Sequence, residues 1–332
     1  MGLLKVTGTI DVGQFWPNGS SDADTAKVVV QTGGNAFKFQ STPGGKFVVT
    51  HVFEGAKVKG SVTTPPIDNK GRLTIRFEHI DAPELHYRPA ALSSKAPQVQ
   101  RDAFKAASGD FRQHYGESAA AAAAKRLGGA GVLPCTVMTR VDSPNDVFDT
   151  YGRFIGEVVV HVKGSDVNLN AWLVRQGWAF PSFYVTAKED EVRAYLAAAK
   201  VGRKKKRIWS GLQKKIDTFD SSLLFRSTGQ PDAAADAGPL IIPKIFRRQC
   251  AWWTRRQAGA VTTNFKSYLV GNPDALVLTE DFLANGVHSA TPRHLDEFLQ
   301  PDGTFTLQPE DMVFMEKPST LLDANNKKIT AW

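Results

Sequence analysis

The stretch IRFEHIDAPELHYR, residues 75–88, begins as an alternating β-strand and breaks at a proline. It places Arg76, Asp81 and Glu84 close to that break. An aspartate in an Asp-x-Pro-Glu turn commonly caps backbone N–H groups, so the turn by itself indicates only local structure. The surrounding sequence has to show whether these three side chains carry chemistry.

Short β-rich runs separated by Gly, Asn and Pro fill residues 4–80: KVTGTIDV, AKVVVQT, KFVVTHVF, AKVKGSV and RLTIRFEHI. This pattern is typical of an antiparallel sheet or a small barrel. Helices are predicted at residues 118–129, at 168–179 and at 189–208, and the strand-like runs LPCTVMTRV and RFIGEVVVHV lie between the first two. We therefore predict an α+β fold with an OB-type five-stranded barrel and about three helices.

Chain length and charge divide the sequence into two parts. A chain of 332 residues favours two domains, and we predict them at 1–220 and 240–332, with a linker at 221–239 and a smaller α+β fold in the second. Residues 221–332 carry 11 basic and 12 acidic residues, so the remaining 30 basic and 21 acidic residues give the first part a net charge of +9. This excess suggests a polyanionic partner such as nucleic acid.

Other classes of protein are disfavoured by the sequence. Cys135 and Cys250 form no C-x-x-C or Cys/His cluster that would bind zinc or build a disulfide framework. No run of about 18 apolar residues is present, and the N-terminus lacks the apolar segment of a signal peptide. We expect a cytoplasmic protein that does not enter a membrane.

Hydrolysis of a phosphodiester requires oxygen ligands for a hard cation, a carboxylate that takes a proton from water, and arginines that stabilise the transition-state charge. The motif DTYGR, residues 149–153, adds Arg153 at the start of a strand to the three residues named above. Together the aspartate, the glutamate and the two arginines meet all three requirements.

The sequence resembles the staphylococcal nuclease family in five ordered blocks. They are RFEHIDAPE (76–84), YGESAAAAAAK (115–125), DTYGR (149–153), NLNAWLVRQGWA (168–179) and IWS (208–210). The resemblance implies an OB-fold nuclease that hydrolyses DNA and probably RNA with little sequence specificity, using one Ca²⁺ ion.

The resemblance assigns functional roles to residues according to their positions in these blocks. Asp81 and the backbone carbonyl of Ala82 match calcium ligands, and Glu84 matches the general base. Arg76 and Arg153 match the pair that clamps the scissile phosphate, a task that suits the planar guanidinium fork.

The first calcium ligand has two candidate positions. The motif DADT, residues 22–25, precedes a strand and makes Asp24 the ligand, with residues 31–70 as an insertion that extends the sheet. The rival FEGAK, residues 53–57, puts Ala56 there, leaves Glu54 as a displaced ligand and turns the first 45 residues into an appended unit. We favour Asp24, because D-x-D-T followed at once by a strand matches both side chain and context.

Substrate-binding residues follow from the same resemblance. Tyr151 matches a nucleotide-pocket residue, and one of Phe183 or Tyr184, with Tyr184 preferred, matches a tyrosine against the terminal nucleotide. A second insertion, residues 85–114, either lines the substrate groove or forms a solvent loop, and its His86 is either a site residue or solvated.

The C-terminal part begins with IIPKIFRRQCAWWTRR, residues 241–256. Its arginines are Arg247, Arg248, Arg255 and Arg256. Either they meet phosphates while Trp252 or Trp253 stacks on bases, or, more commonly, such a helix buries its aromatic residues and solvates its arginines. Two further alternatives remain: the barrel is a catalytically inactive nucleic-acid-binding module, and the C-terminal domain binds a protein partner.

Overall fold

The computed structural model describes residues 2–59, 63–226, 233–286, 290–316 and 319–332. Its strands are β1 (Gly2–Asp11), β2 (Thr25–Val30), β3 (Phe37–Gln40), β4 (Val48–Val49), β5 (Lys57–Lys59), β6 (Thr63–Thr64), β7 (Arg72–Phe77), β8 (Ile80–Asp81), β9 (Val132–Val141), β10 (Phe154–Val162), β11 (Ser165–Asn168), β12 (Phe180–Pro181), β13 (Phe183–Tyr184), β14 (Ala275–Leu278), β15 (Arg293–His294), β16 (Met312–Phe314) and β17 (Thr320–Leu322). Its α-helices are α1 (Gln98–Ala107), α2 (Gly116–Arg126), α3 (Leu169–Arg175), α4 (Glu189–Arg203), α5 (Arg207–Gly211), α6 (Ala233–Asp236), α7 (Pro243–Gln257), α8 (Phe265–Gly271) and α9 (Thr279–Asn285). Within these ranges no helix combines the length and the apolar character needed to cross a lipid bilayer.

Five strands close into a barrel. Strand β1 pairs antiparallel with β2 on one side and with β9 on the other. From β2 the ring continues to β7, which pairs in parallel with β10, and β10 returns to β9. The predicted α+β fold with a five-stranded OB-type barrel is confirmed.

The inner face of β1 shows why its sequence forms a barrel strand. Leu4, Val6 and Ile10 have no exposed surface, and every second residue faces inward, as the period of a strand requires. A Cβ at Gly8 would clash with the carbonyl oxygen of Val29 on β2. The absence of a side chain at Gly8 therefore lets β1 and β2 approach closely.

The segment 31–70 extends the barrel sheet. Strand β3 pairs with β1, and β4 pairs with β3. Strand β5, which follows FEGAK, pairs with β6 and β17 outside the barrel. The alternative that made the first 45 residues an appended unit is wrong, because β1 and β2 are themselves barrel strands. Residues 60–62, part of the predicted run AKVKGSV, lie outside the described residues.

Helices α2, α3 and α4 correspond to the three predicted helices. Helix α4 was expected to reach residue 208 but ends at Arg203, because the chain turns at Lys206, whose φ is +66°. The insertion 85–114 contains α1, which packs against α7 from the C-terminal part.

The C-terminal part shares two sheets with the barrel part. Strand β16 pairs in parallel with β13, and β17 pairs antiparallel with β5. Val313 and Leu321 belong to the same apolar core as the barrel, whereas Phe246 and Phe265 belong to a second core. The predicted domain boundaries stay predictions, but the described C-terminal residues are built onto the barrel.

The predicted linker, 221–239, contacts the barrel part where it is described; residues 227–232 lie outside the described residues. Asp236 is buried, and its carboxylate accepts hydrogen bonds from the backbone N–H groups of Tyr115 (2.8 Å) and Ser118 (2.7 Å). These groups lie at the start of α2, where N–H groups have no partner within the helix. The segment is therefore anchored at this point.

Candidate active site

A cavity of about 480 Å³ lies between one end of the barrel and helix α7. Most of the site residues predicted from the sequence line it: Asp24, Arg76, Glu84, Tyr151, Arg153 and Tyr184. Asp81 and Ala82 are buried beside this lining. The structure therefore brings the whole predicted set to one place.

The turn between β7 and β8 brings Asp81 back towards Arg76. His79 takes the left-handed φ of +65°, which is uncommon for a residue with a side chain. Its buried imidazole lies 3.5 Å from the carboxylate of Glu191, and β8 then pairs with β12 through Asp81 and Phe180. Packing on both sides thus fixes the direction in which Asp81 points.

The loop before β2 folds over this turn. The Oδ2 atom of Asp24 accepts a hydrogen bond from the Ala82 N–H (2.7 Å), and the Oδ1 atom of Asp22 accepts one from the Leu85 N–H (2.8 Å). Both bonds join residues about 60 positions apart in the chain. They place Asp24 against the segment 81–85 that follows β7, in agreement with the preference for DADT.

The rival residues lie elsewhere. Glu54 is exposed and pairs with His51 at 2.7 Å, and Ala56 is buried next to it. Both line a different cavity, near β5 and β6. The structure does not bring FEGAK to the site.

Arg76 joins the two carboxylates of the predicted calcium site. Its guanidinium lies 3.1 Å from Asp24 Oδ2 and 2.7 Å from Asp81 Oδ1. It also donates a hydrogen bond to the carbonyl oxygen of Phe77 (3.0 Å). The Arg76 side chain is only 10% exposed, so in this structure it organises the carboxylates more than it faces the cavity.

Arg153 is held at the cavity by the turn that precedes β10. The carboxylate of Asp149 accepts bonds from the backbone N–H groups of Tyr151 and Arg153 (both 2.9 Å) and from Arg153 Nε (2.7 Å). Gly152 provides the positive φ of +82° that this turn needs. The guanidinium carbon lies 5.5 Å from the centre of the exposed Tyr151 ring. Arginine and tyrosine therefore face the cavity side by side.

Of the two candidates on strand β13, Phe183 and Tyr184, only Tyr184 lines the cavity. Phe183 is fully buried in the barrel core, whereas Tyr184 lines the cavity. Burial raises the pKa of the Tyr184 phenol, and the nearby ammonium of Lys244 opposes that rise. A neutral tyrosine therefore forms this part of the wall.

The insertion 85–114 also lines the cavity, through His86, Tyr87 and Arg88. Burial lowers the pKa of His86, and the positive charge of Arg112 lowers it further. Of the two alternatives for this insertion, the geometry supports the one in which it lines the groove.

Helix α7 contributes a residue whose position the sequence analysis did not predict. Arg247 pairs with Asp81, at 3.3 Å from both Oδ1 and Oδ2, and with Glu84 Oε1. The tryptophans of this helix do not face the cavity: Trp252 is buried and Trp253 stacks on Phe219 with ring centres 4.7 Å apart. The structure supports burial of the aromatic residues, but Arg247 faces carboxylates instead of solvent.

Two more cations on the same helix line the cavity. Lys244 pairs with Glu316, and Arg248 makes two hydrogen bonds to Asp274 (2.6 and 2.7 Å). With Arg247 these residues stand at positions i, i+3 and i+4, so they share one helix face. That spacing was the available signal in the sequence, although it does not reveal what the face contacts.

The carboxylates of the cavity differ in their affinity for protons. Burial raises the pKa of Glu84, and the charge of Arg247 only partly opposes the rise. Burial likewise raises the pKa of Asp22 well above its ordinary value, reinforced by the charges of Glu84 and Asp24. Burial disfavours ionisation of Asp81 too, but Arg247 and Arg76 outweigh it and lower the pKa of Asp81. Asp81 is therefore the fixed anion, and Glu84 is the better proton acceptor.

The donor types fit the predicted calcium site. The carboxylates of Asp24 and Asp81 converge on one guanidinium, and the backbone of Ala82 adjoins Asp24. Carboxylate and carbonyl oxygens are the ligands that Ca²⁺ prefers. Among the described residues, no group of three or more His, Cys, Asp or Glu side chains is arranged to hold a metal ion. Here the two acids bind arginines.

Comparison with known proteins agrees with this geometry. Residues 74–211 match the family model described as staphylococcal nuclease homologue. Strands β1 and β2 precede the matched range, yet both are needed to close the barrel. No curated protein matches the chain significantly. The chain therefore carries a staphylococcal nuclease homologue domain on an OB-type barrel, a domain of the nuclease and nucleic-acid-binding class.

Proposed function

We propose that this chain is a nuclease that hydrolyses phosphodiester bonds of DNA, and also of RNA, with little sequence specificity and with one Ca²⁺ ion. One observation carries the proposal: Arg76, Glu84 and Arg153 line a single cavity although they are spread over 78 positions of the chain, and Asp81 is buried beside it, paired with Arg76 at 2.7 Å. A module that only binds nucleic acid has no need of a buried glutamate with a raised pKa beside such a pair of arginines.

Each residue has a distinct role in this proposal. Glu84 takes the proton from the attacking water, and its raised pKa makes it a stronger base while it is ionised. Arg153 meets the negative charge that develops on the phosphate oxygens as the ester P–O bond breaks. Arg76 fixes the directions of Asp24 and Asp81.

The calcium site of the proposal consists of the Asp24 and Asp81 carboxylates and the Ala82 carbonyl oxygen. When bound there, Ca²⁺ would supply positive charge close to the scissile phosphate. Tyr151 and Tyr184 form the cavity wall against which a nucleotide would pack.

A second candidate function is supported by a specific contact. Arg247 engages both Asp81 and Glu84, which are the acids that catalysis requires. If this pairing were permanent, the chain would be a nucleic-acid-binding module without turnover.

One experiment distinguishes the nuclease from the module that only binds nucleic acid. The purified chain is incubated with single-stranded DNA, double-stranded DNA and RNA, first with Ca²⁺ and then with excess EDTA. We expect cleavage that EDTA abolishes. Binding without cleavage under all conditions, measured by fluorescence anisotropy of the same substrates, would establish the second function instead.

A further inference from the structure

Two carboxylates of the candidate site already bind a positively charged side chain of the protein itself. The guanidinium of Arg247 spans Asp81 and Glu84, with both of its terminal nitrogens on Asp81 and one of them also on Glu84. This residue lies on α7, outside the matched domain range of residues 74–211.

The same two carboxylates have separate tasks in the proposed nuclease. Asp81 is a calcium ligand, and Glu84 must accept a proton from water. Carboxylate lone pairs that accept guanidinium hydrogen bonds are not available to a metal ion. A divalent ion beside Asp81 would also be repelled by the positive charge of Arg247 at short range. Arg247 and a metal ion therefore oppose each other at this position.

Arg76 also binds Asp81, but the two arginines differ in their freedom to move. The side chain of Arg76 is 10% exposed and has partners on three residues, including a backbone carbonyl. The side chain of Arg247 is 27% exposed and borders the open cavity. Arg247 is thus the arginine that can leave Asp81 without unfolding the turn around it.

We propose that Arg247 is an intramolecular competitor for the cation position, so that helix α7 sets the affinity of the site for Ca²⁺. The inference rests on the proposed function, because it takes Asp81 as a calcium ligand. The relevant chemistry is that of a hard divalent cation displacing a guanidinium from a carboxylate pair.

The test compares Ca²⁺ binding by the full chain and by Arg247→Met, using calorimetric titration of CaCl₂. Removing the competitor should tighten Ca²⁺ binding by about 10-fold or more, since one like charge in direct contact is lost. Arg255→Met is the matched control on the same helix, because the Arg255 guanidinium contacts the carbonyl oxygens of Ala251 and Ala90 instead of a carboxylate. The control should bind Ca²⁺ as the unchanged protein does.

Loss of Arg247 leaves two buried acids with less positive charge nearby, so we expect the variant to be less stable. Thermal melting with and without Ca²⁺ gives a second measure, because a ligand raises the midpoint according to its affinity for the folded state. The rise on adding Ca²⁺ should be larger for Arg247→Met than for the unchanged chain. Arg247→Lys keeps the charge but cannot span both carboxylates, and its Ca²⁺ affinity should fall between the two.

Equal or weaker Ca²⁺ binding by Arg247→Met would overturn the competitor role, as would absence of Ca²⁺ binding in every variant. DNA hydrolysis tests the proposed function separately. Tighter Ca²⁺ binding without hydrolysis by any variant would support the competitor and refute the nuclease. Calcium-dependent hydrolysis together with an unchanged Ca²⁺ affinity of Arg247→Met would support the nuclease and refute the competitor role.

Discussion

Arg153 has an internal counterpart that makes its contribution measurable. Asp149 accepts two backbone N–H bonds and the Nε bond of Arg153, and Asp68 does the same for Arg72. The two arginine side chains are almost equally exposed, at 31% and 32%, but only Arg153 lines the main cavity. Arg153→Ala should therefore reduce DNA hydrolysis by about 10²-fold while Arg72→Ala leaves it nearly unchanged. Initial rates at saturating Ca²⁺ measure this, and equal losses would mean that Arg153 acts only through the turn.

Protonation of Glu84 should cause the fall of the hydrolysis rate at low pH, which is the acid limb of the pH–rate profile. A base must be ionised, and burial raises the pKa of Glu84, so hydrolysis should fall as pH decreases through a value above the ordinary glutamate pKa. Glu84→Gln should lower the rate by about 10²-fold or more and remove this limb. Glu54→Gln, on the exposed rival motif, is the control. A rate profile of Glu84→Gln that keeps both its height and its acid limb would exclude Glu84 as the base.

Replacing Asp24 and replacing Glu54, the two candidates for the first calcium ligand, should have different effects on Ca²⁺ binding. Asp24 shares a guanidinium with Asp81, whereas Glu54 pairs with His51 at another cavity. Titration of Ca²⁺ into Asp24→Ala should show lost or much weaker binding, and Glu54→Ala should bind normally. The reverse result would restore the rival assignment.

Glu78 should make stability depend on pH. Burial raises its carboxyl pKa from an ordinary 4.5 to about 7, with His79 opposing the rise and Glu191 and Glu157 adding to it. The folded chain binds this proton more tightly than the unfolded chain, so the stabilisation is complete below about pH 4.5 and is lost as pH rises towards 7. Relative to Glu78→Gln, the protein should lose on the order of 2 kcal/mol across this range. Urea unfolding at pH 5 and pH 7.5 measures it; a pH-independent difference would contradict the assignment.

At the scale of the element, the close contact of β1 and β2 depends on one missing side chain. A Cβ at Gly8 would clash with the Val29 carbonyl oxygen, whereas one at Gly109 meets no atom within 4 Å. Gly8→Ala should therefore cost about 1–3 kcal/mol of unfolding free energy, and Gly109→Ala should cost little. Denaturant unfolding of both variants is the measurement, and equal effects would show that β2 moves away freely.

The elements of the barrel were predictable because their signals are local. Alternation along β1 and the D-x-D-T motif before β2 lie within short windows, and the same is true of the helix starts. The partner of Arg247 was not predictable, because its spacing from Lys244 and Arg248 defines only a basic helix face. What that face contacts depends on where α7 docks, and Asp81 lies 166 residues earlier in the chain.

At the scale of the whole molecule, the shared sheets change what a shortened chain should do. The end of the family-like blocks at residue 210 and the change in charge and composition after it predict that a fragment ending near residue 227 folds alone. Removal of everything after residue 226 would, however, delete β16, β17 and the buried Val313 and Leu321. We expect such a fragment to melt at a lower temperature than the full chain, or to aggregate, because apolar barrel surface becomes exposed. Calorimetric melting and light scattering test this, and a soluble fragment with an unchanged midpoint would confirm an independent first domain.

The pairing of Arg247 with Glu84 can form only late in synthesis of the chain on the ribosome. The glutamate leaves the ribosomal tunnel 163 residues before the arginine, a delay of on the order of 10–30 s at ordinary elongation rates. By the end of that interval β1, β2, β7, β9 and β10 have all been synthesised, while Asp81 and Glu84 still lack the guanidinium from α7. In the nascent barrel Asp24 and Asp81 therefore share the single guanidinium of Arg76, and Glu84 gains its arginine partner only when α7 docks.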